Sequence, residues 1–146
     1  MFTHILTATD GSDWAFKGVK VAMEMAKTLN ARLTVVTASD LSPGPYYAEG
    51  ILATTEFENF SENMRLRADE ILQSIAKVCI DHGVTPNLVY VPATHPATAI
   101  LEKSTELGCD LIVIGSRGRR GLTKLILGSQ AAEVLAGTTV PLMIIK

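Results

Sequence analysis

Five short apolar stretches recur along the chain, each bounded by turn-forming residues, with helical patterns between them. They span His4 to Thr9, Arg32 to Ala38, Asn87 to Val91, Asp110 to Ile114 and Val140 to Ile145. The stretches are rich in β-branched residues and are apolar at both odd and even positions, which is typical of strands covered on both faces. The pattern therefore predicts five buried strands.

Between these strands the apolar residues follow the helical period of 3.6 instead of the strand period of two. The predicted helices begin at Ser12 as a cap, at a capping box formed by Thr55 and Glu58, at Pro96 and at Ser129. Glycines end the last two of them, at Gly108 and Gly137. The order βαβαβαβαβ predicts an α/β fold, with an open, doubly wound sheet of five parallel strands and helices on both faces.

Composition narrows the class of protein mainly by exclusion. The 146 residues fit one domain spanning 1–146, and a net charge of -2 does not provide the basic face of a nucleic-acid-binding protein. No apolar run reaches the roughly 20 residues of a membrane span, and the N-terminus lacks a secretion signal. The two cysteines, Cys79 and Cys109, are interpreted as buried hydrophobes in a reducing compartment. We therefore expect a cytoplasmic protein without nucleic-acid or membrane partners.

One connection is longer than the others, from Ser39 to Thr54, and contains two prolines and two glycines. Loops of this length in compact domains are often lids or binding loops. A tolerated surface insertion explains the same composition equally well. Both interpretations stay open from the sequence.

An acidic turn follows the first predicted strand, at residues Thr9 to Ser12. In open α/β sheets, ligands bind beyond the carboxyl ends of the strands where the strand order reverses, and for the order 3-2-1-4-5 this point lies between strands one and four. There Asp10 is placed to accept hydrogen bonds from a ribose hydroxyl or to reach a metal ion on a bound phosphate. The alternative is that Asp10 only helps Ser12 to cap the first helix, since both residue types are strong caps.

A glycine-rich, cationic segment follows the fourth predicted strand, from Gly115 to Ser129. Glycines at this density let the backbone approach a ligand closely, and the helix that opens at Gly128 has an N-terminus that favours an anion. The charged residues between Leu111 and Ala132 are all cations: Arg117, Arg119, Arg120 and Lys124. The segment is a physical match to a polyphosphate, and the alternative is a flexible surface loop with solvated cations.

Other nucleotide and hydrolase motifs are absent from the sequence. There is no GxxxxGK[ST], no GxGxxG after the first strand and no GxSxG elbow. The histidines are scattered, and neither they nor the cysteines have the spacing of a metal site. We therefore predict neither catalytic residues nor a protein-bound metal.

The spacing Gly115-x-x-Gly118, nine residues, then Gly128-Ser129 resembles the GxxGx9G[ST] pattern of the ATP-binding branch of the universal stress proteins. The opening ILTATDGS, from Ile5 to Ser12, is similar to the first strand and acidic turn of that family. The resemblance covers nearly the whole chain. It implies a Rossmann-like sheet with the order 3-2-1-4-5.

The resemblance also implies a ligand, ATP with Mg²⁺, and positions for it. Ala8 and Ala38 would offer backbone contacts to adenine, and Asp10 would meet the ribose or the phosphate and metal region. The phosphates would lie on or beside residues of the glycine-rich segment: Gly115, Ser116, Arg117, Gly118, Gly128, Ser129 and Gln130.

Family resemblance further implies a homodimer paired through the last strand, Val140 to Ile145. Pairing makes physical sense because a long apolar edge strand would otherwise promote aggregation. The function expected is that of an ATP-binding stress-response regulatory protein that acts on a protein partner still to be identified. The alternatives are a slow ATPase or autophosphorylating enzyme, and a dimeric interaction protein that has lost nucleotide binding.

Overall fold

A single parallel sheet organises the computed structural model, which describes residues 1–40, 54–93, 95–118 and 127–146. The strands are β1 (His4–Ala8), β2 (Arg32–Asp40), β3 (Asn87–Ala93), β4 (Leu111–Gly115) and β5 (Leu142–Ile145). The helices are α1 (Asp13–Leu29), α2 (Thr54–Asp81), α3 (Pro96–Glu106) and α4 (Ser129–Gly137). The strand order is β3-β2-β1-β4-β5 and every neighbouring pair is parallel. The predicted fold class and strand order are confirmed.

Alternate residues of the central strands pack on opposite faces of the sheet. Ile5 and Val35 share a buried cluster with residues of α1 and α2, whereas Leu6 and Val36 share one with residues of α3 and α4. All four side chains are 0% exposed, and burying a side chain of this size contributes about 1.5–3 kcal/mol. Helices on both faces of the sheet thus explain why the strands are apolar at both odd and even positions.

The helix boundaries agree with the sequence at α1 and differ at α2. The Ser12 hydroxyl accepts a hydrogen bond from the Ala15 N–H at 3.2 Å, which confirms the predicted cap. The predicted capping box at Thr55 is wrong, because α2 already includes Thr54. A cap residue lies outside the helix with an extended backbone, so Thr55 cannot fill that role. Within the described residues, no helix combines the length and the apolar character needed to cross a bilayer.

The strand boundaries differ where a partner strand or a proline decides them. β2 continues to Asp40 because Ser39 and Asp40 pair with Pro92 and Ala93 of β3. The predicted long connection therefore loses its first two residues to the sheet, and residues 41–53 lie outside the described part of the chain. β5 begins at Leu142 and not at Val140, since the intervening proline has no N–H to donate to a strand ladder.

A network of polar side chains links the amino ends of β1 and β4. The Asp110 carboxylate accepts hydrogen bonds from the Thr3 N–H, the Thr3 hydroxyl and the His4 N–H, at 2.8, 2.7 and 2.9 Å. The His4 ring lies 3.2 Å from the Leu107 carbonyl through Nδ1 and 2.8 Å from the Thr34 hydroxyl through Nε2. A carbonyl only accepts, so Nδ1 donates to Leu107, and in a neutral ring Nε2 accepts from the Thr34 hydroxyl. Burial lowers the pKa of His4, which favours this neutral form.

Candidate functional site

The carboxyl ends of β1 and β4 lie side by side at the centre of the sheet. Ala8 pairs with Ile114 at the last position of their shared ladder. From β1 the chain continues to β2 on one side, whereas β4 continues to β5 on the other. The connections that leave these two strands therefore diverge, and they open the crevice in which doubly wound sheets bind their ligands.

The turn after β1 is fixed by hydrogen bonds that present Asp10. The Thr9 carbonyl accepts from the Thr37 hydroxyl at 3.0 Å, and Gly11, with a φ of 83°, makes the reversal that leads into α1. Asp10 Oδ1 accepts from the Ser12 N–H at 2.9 Å. Ser12 itself supplies the cap of α1. Asp10 thus shapes the turn with one carboxylate oxygen while its other oxygen lies toward the segment after β4.

The segment after β4 approaches Asp10 through a glycine. A Cβ atom at Gly118 would lie 2.5 Å from Asp10 Oδ2, closer than a real side chain allows. The Gly128 N–H donates to the Ser116 carbonyl at 2.7 Å, and a Cβ at Gly128 would lie 3.2 Å from that same carbonyl oxygen. At both Gly118 and Gly128 the backbone therefore lies so close to its neighbours that a side chain would crowd them.

Gly115 has a packing role beneath this segment. A Cβ at Gly115 would collide with the backbone of Trp14 in the first turn of α1. A Cβ at Gly18 would lie 2.5 Å from the Gly115 nitrogen. These two glycines allow α1 to lie directly on the end of β4, which explains Gly115 without a ligand. Its contact with a phosphate remains a prediction.

The N-terminus of α4 faces the same segment. Its cap residue is Gly128, with an extended backbone, and no side chain among the described residues caps the helix. Ser129, the first helical residue, is exposed. Unsatisfied N–H groups and the helix dipole give such an end a partial positive charge. The arrangement favours an anion beside Gly118 and Ser129.

The Gln130 side chain has a partner away from this helix end. Its Oε1 accepts a hydrogen bond from the Ala97 N–H of α3 at 2.9 Å. His95, the cap residue of α3, makes no side-chain hydrogen bond to that helix. Gln130 thus substitutes for a cap on α3, a role that the sequence pattern did not predict. Its side-chain NH2 group and its backbone N–H are still able to donate in the predicted phosphate contact.

The cations of the glycine-rich segment are described only at Arg117. Its Cζ lies 4.9 Å from the centroid of the Trp14 ring, and Lys17 Nζ lies 4.2 Å from the same centroid. The other predicted cations, Arg119, Arg120 and Lys124, lie outside the described residues. Trp14 is not among the predicted site residues, because nothing in the local sequence of α1 indicates a contact with the segment after β4.

The two predicted adenine positions lie at the same edge of the sheet. Ala8 pairs with Val36, so Ala38 lies two residues farther along the neighbouring strand. Both alanines are partly exposed, between buried neighbours such as Thr37. The described residues contain no group of three or more His, Cys, Asp or Glu side chains able to hold a metal ion.

The model of the universal stress protein family matches residues 1–146. The chain belongs to the universal stress protein family. Among its relatives, the universal stress protein YxiE of Bacillus subtilis is 32% identical, and the alignment covers 100% of both chains. A universal stress protein of Thermus aquaticus is 33% identical, again over 100% of both chains.

Solved universal stress proteins share the fold. One from Archaeoglobus fulgidus is 25% identical with a TM-score of 0.74, and the match covers 100% of both chains. A universal stress protein in complex with cAMP is 24% identical with a TM-score of 0.68, covering 99% of this chain and 96% of that one. A universal stress protein from Archaeoglobus fulgidus in complex with dAMP is 22% identical with a TM-score of 0.70, covering 99% of this chain and 98% of that one.

Proposed function

We propose that this chain is an ATP-binding regulatory protein that holds the nucleotide in the crevice between the ends of β1 and β4. The observation that carries the proposal is the approach of Gly118 to the Asp10 carboxylate, which would lie 2.5 Å from a Cβ atom at this position. It lies next to the N-terminus of α4, which no described side chain caps. A carboxylate, a side-chain-free backbone and a helix N-terminus at a topological switch point are the parts of a nucleotide site.

Each part suits a different portion of ATP. The N–H groups around Gly118 and at the start of α4, with the Ser129 hydroxyl, would hold the phosphates. Asp10 would accept from the ribose or contribute one ligand to Mg²⁺, which typically binds through one or two carboxylates plus phosphate oxygens. Backbone groups at Ala8 and Ala38 would contact adenine. Side chains at positions 118 and 128 would crowd the Asp10 carboxylate and the Ser116 carbonyl, so glycine keeps the backbone bare at both positions.

Two solved relatives support an adenine nucleotide, since one was solved with cAMP and another with dAMP. The glycine motif favours a triphosphate over these smaller ligands, because it would offer backbone N–H groups to phosphates from both Gly118 and the start of α4. A regulatory role follows from the absence of a recognisable nucleophile or general base in the sequence motifs. Sensitive detection of ADP separates this role from that of a slow ATPase.

We also propose a homodimer formed along β5, in the cytoplasm. β5 hydrogen-bonds to β4 on one side only, and Met143 is 36% exposed on it. Pairing with a second copy would cover this edge. The buried free thiols of Cys79 and Cys109 fit a reducing compartment. Light scattering during gel filtration tests the dimer, and a monomer at micromolar concentration would contradict it.

Thermal unfolding with and without Mg-ATP tests the nucleotide proposal, with ADP, AMP, GTP and NAD as comparisons. Ligand at a hundredfold excess over its Kd adds about 2.7 kcal/mol, which raises the melting temperature of a domain of this size by roughly 5–10 °C. Gly118→Trp should abolish the rise, whereas the same residue at the exposed position of Lys20 should preserve it. If no adenine nucleotide shifts the wild-type transition, the proposal is wrong.

A further inference from the structure

Trp14 carries two cations on its ring at the edge of the proposed site. It is the only tryptophan of the chain and is 40% exposed in the first turn of α1. Lys17 reaches it from the next turn of the same helix, whereas Arg117 comes from the segment after β4. Stacking of a cation over an indole face is favourable, and tryptophan is the best of the aromatic residues for it.

The contact with Arg117 depends on the close packing of α1 against β4. A Cβ at Gly115 would collide with the Trp14 backbone, so a larger residue there would move the first turn of α1 away from the strand. Arg117 follows only two residues later. The missing side chain at position 115 thus lets the Trp14 ring reach the Arg117 guanidinium.

The Arg117 backbone lies within the proposed phosphate site. On one side, the Ser116 carbonyl accepts from the Gly128 N–H at 2.7 Å. On the other side, Gly118 lies against the Asp10 carboxylate. Neither Arg117 nor Lys17 forms an ion pair with a carboxylate of the described residues. Trp14 therefore contacts two cations that have no acidic partner in the described part of the chain.

We infer that Trp14 is a positioning residue that holds Arg117 in place for the distal phosphates of the nucleotide. The inference rests on the proposed function. A guanidinium stacked on a ring keeps its in-plane N–H donors available for phosphate oxygens. Because the ring already restricts the long side chain, less rotamer freedom is lost when phosphate binds. The advantage applies to di- and triphosphates, so Trp14 is a determinant of selectivity over AMP.

Isothermal titration of a double-mutant cycle tests this role. Trp14→Leu should weaken ATP binding about 3- to 10-fold, the range expected for ordering one long side chain, and should change AMP binding less than twofold. In the Arg117→Gln background, Trp14→Leu should have no further effect. Trp14→Phe should recover part of the loss, because a phenyl ring also stacks with guanidinium. Lys20→Gln, which removes an exposed charge from the same helix, should bind ATP like the wild type.

Tryptophan fluorescence of the ligand-free protein provides a second measurement. Arg117→Gln should shift the emission of the single indole, and Lys20→Gln should leave it unchanged. Equal ATP affinity in wild type and Trp14→Leu, or a loss that persists in the Arg117→Gln background, would overturn this inference while the proposed function stands. A wild-type protein that binds no adenine nucleotide would overturn both.

Discussion

The substitution Gly18→Ala places two physical effects in direct opposition. Gly18 lies inside α1, where replacing glycine by alanine normally stabilises a helix by about 1 kcal/mol. In this structure, however, the added Cβ would lie 2.5 Å from the Gly115 nitrogen and 2.7 Å from the Ile114 carbonyl carbon. Both atoms belong to the backbone of a fully buried strand, so neither can rotate away.

Overpacking a core costs about 1–3 kcal/mol, and backbone contacts on both sides put this site at the upper end. Subtracting the gain in helix propensity leaves a net loss of about 2 kcal/mol in the free energy of unfolding. For a chain of this length, the melting temperature should fall by roughly 4–8 °C. Nucleotide affinity should fall as well, because Gly115 forms the base of the proposed phosphate segment.

Urea unfolding at one fixed protein concentration measures this loss as a lower midpoint with an unchanged slope. Gly137→Ala is the matched control in α4. Its added Cβ would lie 2.5 Å from Leu101 Cδ1, the end of a flexible side chain, so we expect a change within about 0.5 kcal/mol. A Gly18→Ala protein as stable as the wild type would show that α1 does not rest on β4 in this way.

Three further predictions concern individual side chains. Asp10→Asn should keep the turn, because the amide oxygen still accepts from the Ser12 N–H. It should weaken Mg-ATP binding in a titration, and an unchanged affinity would show that Asp10 is not part of the site. Burial lowers the pKa of His4 below 6.5, so the unfolded chain binds a proton more readily and stability should fall as the pH drops from 7.5 to 5.5. Over this pH range the free energy of unfolding of His4→Gln should fall less than that of His82→Gln. Equal losses in the two variants would show that His4 does not cause the pH dependence. Thr7 is 0% exposed and its hydroxyl has no partner among the described residues, so Thr7→Val should stabilise the protein by about 1 kcal/mol, and a lower urea midpoint would contradict this.

The sequence alone predicted the features that depend on neighbouring residues. Ile5 and Leu6 are buried on opposite faces of the sheet, as expected for a strand that is apolar at both odd and even positions. The cap at Ser12 follows from its hydroxyl and its position before the first helical turn. The end of β5 at Ile145 and the extent of α4 were also predicted closely. All of these features depend on residues close to one another in the sequence, so the sequence alone predicts them.

The spaced glycines were also recognisable in the sequence, but their separate physical roles were not. Gly115 serves the packing of α1, whereas Gly118 lies against a carboxylate. Glycines in one motif look alike in the sequence, whether they make room for a helix or for a carboxylate side chain. That distinction requires the positions of atoms from another element.

Contacts between distant segments were decided by the tertiary structure. Trp14 meets Arg117, and Gln130 caps α3 at Ala97, only because the strand order places β4 beside β1 and α4 beside α3. The extension of β2 to Asp40 likewise depends on β3 as its partner. Periodicity and capping rules act over a few residues, whereas these contacts arise when separate elements close around one sheet. The chain thus specifies its elements and its glycine motif locally, and packing decides which side chains meet at the crevice.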